Sequence, residues 1–145
     1  MRINDVLRSK SGGATEVVTV PADMTVRDLV ALLAEHNIGA VIVSSDDSPV
    51  SGIVSERDVV RAMVNDPDIL EHAVSTIMTA EVRTAGPEDS VDDLMLIMTQ
   101  HRIRHVPVVF EGQLQGIVSI GDVVKSRIGQ LEFERDQLES YVHVQ

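Results

Sequence analysis

The stretch "GIVSERDVV" occupies Gly52–Val60, and "GIVSIGDVV" occupies Gly116–Val124. Seven of the nine positions are identical, and the two that differ lie between the Ser and the Asp. A recurrence of this kind defines an architecture and is read before any other signal. A shift of 64 aligns Gly52 with Gly116 and Asp58 with Asp122. Upstream, Val17–Val43 and Val82–Val109 align at a shift of 65, pairing Leu29 with Leu94, His36 with His101 and Ile38 with Ile103. The shift changes in the loop where "EGQ" stands for the longer "SDDSP", and surface loops tolerate such length changes.

Each copy reads as strand, helix, strand, strand, helix. Short strands "VVTV" and "VRTA" lead to Thr25 and Ser90, N-cap residues with Asp28 and Asp93 as capping-box partners. The helices that follow carry apolar residues at helical spacing: Val26, Leu29, Val30 and Leu33 in one copy, Val91, Leu94, Met95 and Met98 in the other. They end near His36 and His101, where an imidazole suits the negative end of the helix dipole. Two β-rich runs around a turn come next, then a helix opening at "SERDVVRAMV" or "SIGDVVKSRI". The pattern is α+β, with helices covering one sheet in each copy. Residues 1–66 form the first unit with its N-terminal lead-in, residues 67–128 the second with its own, and residues 129–145 a helical tail. The lead-ins, Ile3–Leu7 and Val74–Met78, read as matching short helices. Asn65–His72 reads as a linker, and Gly12 and Gly13 as a flexible connection.

Composition narrows the function. The 145 residues carry a net charge of −11, which repels a phosphate backbone, and only 2% aromatics, too few to stack bases. Nucleic acid is therefore not an expected partner. Without cysteine there is no disulfide and no thiol chemistry. The opening "MRINDVLRSK" is charged where a leader peptide has an apolar core, and no apolar run reaches membrane-helix length, so the expected setting is the cytoplasm with no membrane contact.

Taken alone, Ser-x-x-Asp is first of all a capping box that starts a helix. A second reading stands beside it. The Gly-led turn runs into a helix N-terminus that favours a phosphate, and the Asp one turn on can accept from adjacent hydroxyls, as on a ribose.

The doubled "GIVSERD" and "GIVSIGD", together with "HRIRHVPVV", resemble the cystathionine β-synthase (CBS) domain, here as the tandem pair called a Bateman module. The first copy departs from the family's apolar-Pro-Val landmark, with Ile42 where the second has Pro107. The resemblance reaches to about Ile128. It implies two β-α-β-β-α repeats packed as a pseudo-two-fold pair, with a cleft between them for adenosine-containing ligands: AMP, ADP, ATP, S-adenosylmethionine or similar molecules, acting as regulators rather than required cofactors. On that basis Asp58 and Asp122 hold ribose hydroxyls, and Ser55 and Ser119 lie at the phosphate. Ile38, Gly39 and Ala40, with Ile103, Arg104 and His105, border the adenine through their backbone. Thr19, Val20 and Pro21 close one pocket, Thr84 and its neighbours the other, with Pro107 in the adjoining strand. Arg57 reaches a phosphate in the first niche. In the second, Arg102, Arg104 or His105 must supply the charge, because Ile120 and Gly121 have none. Two sites of unequal affinity are expected.

A metal site on His101 and His105 is disfavoured, since a strand between them breaks helical spacing. No nucleophile stands opposite a histidine, so no enzyme is expected. The competing reading is a structural dimerisation module with empty clefts. Any effector is a separate protein. A homodimer is expected by resemblance, and the tail adds a stripe of Val124, Ile128, Leu131, Leu138 and Val142, interrupted by Arg135.

Overall fold

The computed structural model describes residues 1–10 and 17–144. Gly12 and Gly13, read as a flexible connection, lie outside the described residues. The order is α1 (Ile3–Ser9), β1 (Thr19–Val20), α2 (Val26–His36), β2 (Ala40–Ser45), β3 (Ser48–Ser55), α3 (Glu56–Asn65), α4 (Val91–His101), β4 (His105–Phe110), β5 (Gln113–Ser119) and α5 (Ile120–Val144). Short 3-10 turns at Ile69–Glu71 and Val74–Thr76 join the halves.

The fold is the expected α+β repeat pair with a C-terminal helix. In the first unit β1 runs parallel to β2, with Val20 opposite Val43, and β2 pairs antiparallel with β3. In the second, β4 and β5 form the equivalent hairpin, its turn made by Glu111 and Gly112, both at positive φ. The strand expected at "VRTA" contracts to one parallel bridge, Ala85 to Val108. Gly86 and Pro87 follow Ala85 directly and give the strand nowhere to extend. Thr25 and Ser90 cap α2 and α4 by accepting from the Asp28 and Asp93 N–H groups at 3.1 and 3.0 Å. Both helices end in a left-handed residue, Asn37 in one and Arg102 in the other, at φ 52° and 54°.

The lead-ins are exchanged between the units. Helix α1 puts Ile3 and Val6 into the core of the second unit, beside Val91, Leu94, Val106 and Val118. The turn before the second unit puts Val74, with Ile77 and Met78 against it, onto the core of the first. The backbone bonds obey the same symmetry. Ile3 N–H donates to Asp89 C=O at 2.9 Å and Val91 N–H to Met1 C=O at 3.1 Å; Val74 N–H donates to Met24 C=O at 2.7 Å and Val26 N–H to His72 C=O at 2.9 Å. The second lead-in is a 3-10 turn rather than the expected helix; Thr79 leaves it directly to bridge Ile53, with both backbone bonds at 2.9 Å. The linker is structural too, since Ile69 is buried in the first core.

This exchange explains the repeated glycine. A Cβ on Gly52 would stand 2.6 Å from Met78 Sδ and 3.0 Å from the Thr79 carbonyl oxygen; one on Gly116 would stand 2.9 Å from Leu7 Cδ2. Each glycine makes room for the lead-in arriving from the other unit. Gly52→Ala is therefore expected to cost about 1–3 kcal/mol, because backbone as well as side chain blocks the methyl. Gly116→Ala is expected to cost less, with part of the loss recovered in the Leu7→Ala/Gly116→Ala double variant. Thermal unfolding of the single and double variants measures both; additive losses at Leu7 and Gly116 would refute the packing assigned to them.

Candidate functional site

The motif forms a complete capping box in both copies. Ser55 N–H donates to Asp58 Oδ2 at 2.8 Å, and Asp58 N–H donates to Ser55 Oγ at 3.3 Å. Ser119 N–H donates to Asp122 Oδ2 at 2.9 Å, and Asp122 N–H donates to Ser119 Oγ at 3.1 Å. Capping uses only Oδ2. Among the described residues Oδ1 of each carboxylate has no hydrogen-bond partner, so one side chain can start a helix and still accept from a ligand.

Two clefts contain these carboxylates, and each draws on both units. The larger, about 810 Å³, brings Ser55, Arg57, Asp58 and Arg61 of the first unit to Arg83, Arg102 and Arg104 of the second. The smaller, about 490 Å³, brings Ser119 and Asp122 of the second unit to Val17, Val18 and Ile38 of the first. Gly39, Ala40 and His105 border both. Ile103 lines the larger cleft only. Backbone bonds set the strand entries against the helix starts: Glu56 N–H donates to Gly39 C=O at 2.9 Å, and Ile120 N–H to Arg104 C=O at 2.8 Å. Thr19, Val20, Pro21, Thr84 and Pro107 are not among the lining residues of these clefts. Val20 is buried in the first core, and Pro107 is buried with its carbonyl accepting from Ala85 N–H at 3.0 Å.

The charge in the smaller cleft comes from a residue that motif reasoning passes over. Lys10 Nζ lies 2.8 Å from Asp122 Oδ2 and donates to Ile117 C=O at 2.7 Å. Arg102 and Arg104 line the larger cleft with Arg57 instead. Lys10 is 112 residues from Asp122 in sequence, and only the exchange of α1 brings it there. The signal available in advance was the offset of 71 that superimposes Ile3 on Val74, Leu7 on Met78 and Lys10 on Glu81; Glu81 lines the other cleft.

Burial opposes the Asp122 charge, but hydrogen bonds from Lys10 and Ser119 outweigh it and hold the carboxyl below its ordinary value of 3.8. Burial pushes the His105 imidazole below 6.5, with Asp122 pulling the other way and Lys10 adding to the depression.

The CBS domain family matches residues 13–65 and 74–129. The chain belongs to the CBS domain family. Its two matches make it a CBS pair. "CBS domain-containing protein CBSX3, mitochondrial" of Arabidopsis thaliana is 36% identical over 146 residues, covering 97% of this chain and 71% of that protein. The crystal structure of the CBS-domain containing protein ATU1752 from Agrobacterium tumefaciens superimposes with a TM-score of 0.82 at 42% identity, over 88% of this chain and 99% of that one. The CBS domain pair of protein MJ0100, solved in complex with 5′-methylthioadenosine and S-adenosyl-L-methionine, has a TM-score of 0.78 at 23% identity, over 90% of this chain and 98% of that one; this likeness is one of fold. No helix among the described residues is long and apolar enough to cross a membrane.

The Lys10–Asp122 pair sets a pH dependence. A depressed carboxyl contributes stability above its ordinary value of 3.8 and loses it as pH falls through the lower folded value. His105 acts in the same direction: below 6.5 the unfolded chain takes up a proton that the folded site resists. Lys10→Gln is expected to lower stability at pH 7 by about 1 kcal/mol, a few degrees of melting temperature. The gap to the parent protein should close as Asp122 protonates in acid. Melting curves from pH 7 to pH 3 decide it; a gap constant with pH would exclude the ion pair as its source.

Proposed function

We propose that this CBS pair is a stand-alone regulatory module, without catalysis of its own, that binds adenosine-containing ligands in its two clefts. The observation that carries the reading is the pair of half-buried Asp carboxylates, each with one oxygen fixed by a cap and the other unpartnered among the described residues, in cavities of nucleotide size. Asp58 and Asp122 hold ribose hydroxyls in this proposal. Ser55 and Ser119 lie beside the phosphate, and the strand entries at Ile38–Ala40 and Ile103–His105 border the base. The fold also accommodates two adenosine compounds in protein MJ0100. The completed capping boxes favour a second reading, a structural module whose clefts stay empty. We also propose a cytoplasmic setting; the plant relative is by its name mitochondrial, and cell fractionation separates the two.

AMP, ADP, ATP and S-adenosylmethionine are the ligands to test. One of them at ~100 times its dissociation constant should add about 2.7 kcal/mol of stability. Asp58→Asn and Asp122→Asn should each weaken calorimetric binding at their own cleft by about 1.5–3 kcal/mol. Loss of a cap alone would cost roughly 1 kcal/mol of stability and leave affinity untouched, which would overturn the ribose assignment; a melting transition that none of the four compounds moves at millimolar concentration would select the structural reading.

We further propose a homodimer that uses α5 and acts on an effector protein. Val123 is buried in the second core, but from Leu131 to Val142 every residue of α5 is exposed. Leu131, Phe133, Leu138, Tyr141 and Val142 thus have no cover from their own module, and a helical extension this short is marginal in water by itself. Val60, Met63 and Val64 of α3 add exposed apolar surface. Deleting residues 129–145 is expected to shift the mass measured by light scattering at low micromolar concentration from dimer toward monomer. A truncated chain that stays dimeric would move the main contact to α3 and its neighbours.

A further inference from the structure

Half of the arginines in the chain, five of ten, line the Asp58 cleft: Arg57, Arg61, Arg83, Arg102 and Arg104. Glu56, Asp58 and Glu81 line it as well. Yet among the described residues none of the five guanidinium groups is in an ion pair or a side-chain hydrogen bond, while Arg2, Arg27, Arg127 and Arg135 elsewhere each pair with a carboxylate. In a chain with net charge −11 a cluster of uncommitted arginines is held together against ample opportunity for pairing. Arg102 adds a second observation. It occupies the left-handed cap of α4 at φ 54°, where the equivalent position of the first unit has Asn37, the residue type that suits this conformation. The chain keeps a guanidinium there at a conformational cost. The Asp122 cleft is different: its lysine, Lys10, is already bound to Asp122 and to the Ile117 carbonyl.

We infer that the Asp58 cleft is the subsite for a multiply charged phosphate chain, as in a nucleoside di- or triphosphate, and that the Asp122 cleft takes a nucleoside carrying one negative charge or none. Guanidinium forks match phosphate oxygens two at a time, and several converging on one cleft suit several phosphates. The nucleoside part of this inference rests on the adenosine reading proposed above; the phosphate part rests on the arginines.

Calorimetry on the full chain with ATP, ADP, AMP, adenosine and inorganic tripolyphosphate tests it. Affinity at the Asp58 cleft should rise from adenosine to ATP, and tripolyphosphate should compete with ATP there but not with adenosine at the Asp122 cleft. Arg102→Asn should weaken ATP binding about tenfold or more, leave adenosine binding at the Asp122 cleft intact, and leave the melting temperature unchanged or raised. Arg83→Gln should weaken ATP in the same way. Equal affinity for all four adenosine compounds, or full ATP affinity in both arginine variants, would overturn the phosphate assignment while leaving the adenosine reading in place. Arginine-dependent binding of tripolyphosphate with no binding of any adenosine compound would uphold the phosphate assignment and overturn the adenosine reading. Absence of binding by every compound would overturn both.

Discussion

The structure depends on a contact between residues far apart in sequence: Leu7 over Gly116, and Met78 over Gly52. Each lead-in closes the core of the unit it does not precede. The hairpins lack side chains at these two points, and the lead-ins fill the space. Neither unit can bury its apolar face without the other's segment. The two repeats thus complete each other's cores rather than standing as two domains joined by a linker. The buried Ile69 in the connecting segment makes the same point.

The clefts inherit this arrangement. Because the segments cross, each capping carboxylate faces strand entries and lead-in residues supplied in part by the other half of the chain. The duplication therefore preserves the frame, Gly, Ser and Asp, and differentiates the walls. Lys10 and Glu81 stand at equivalent places in the two lead-ins and carry opposite charge. One cleft holds the Lys10–Asp122 ion pair; in the other, among the described residues, none of the five lining arginines pairs with Glu56, Asp58 or Glu81. Electrostatics inside a partly desolvated cleft is stronger than on an open surface, so the opposite charges of Lys10 and Glu81 give the two clefts different potentials.

Helix α5 joins the clefts to the rest of the surface. Its first turn carries Asp122, Val123 is in the core, and residues 131–142 are all exposed.

Legible in the residues alone were the repeat, the order of elements, the N-caps at Thr25, Ser55, Ser90 and Ser119, the helix ends at His36 and His101, and the two motif carboxylates. All of these are encoded locally, by periodicity and by side chains three residues apart, or by comparing one copy with the other. What the residues alone could not determine was which half of the chain each local piece would complete. The VRTA strand contracted because Gly86 and Pro87 stop it, and the Val74 lead-in tightened to a 3-10 turn. Lys10 reached Asp122, and Arg102 and Arg104 joined Arg57 rather than Asp122. These pairings emerge only in three dimensions, because they follow from the exchange of lead-ins, and an exchange and its absence bury the same residues with the same local propensities.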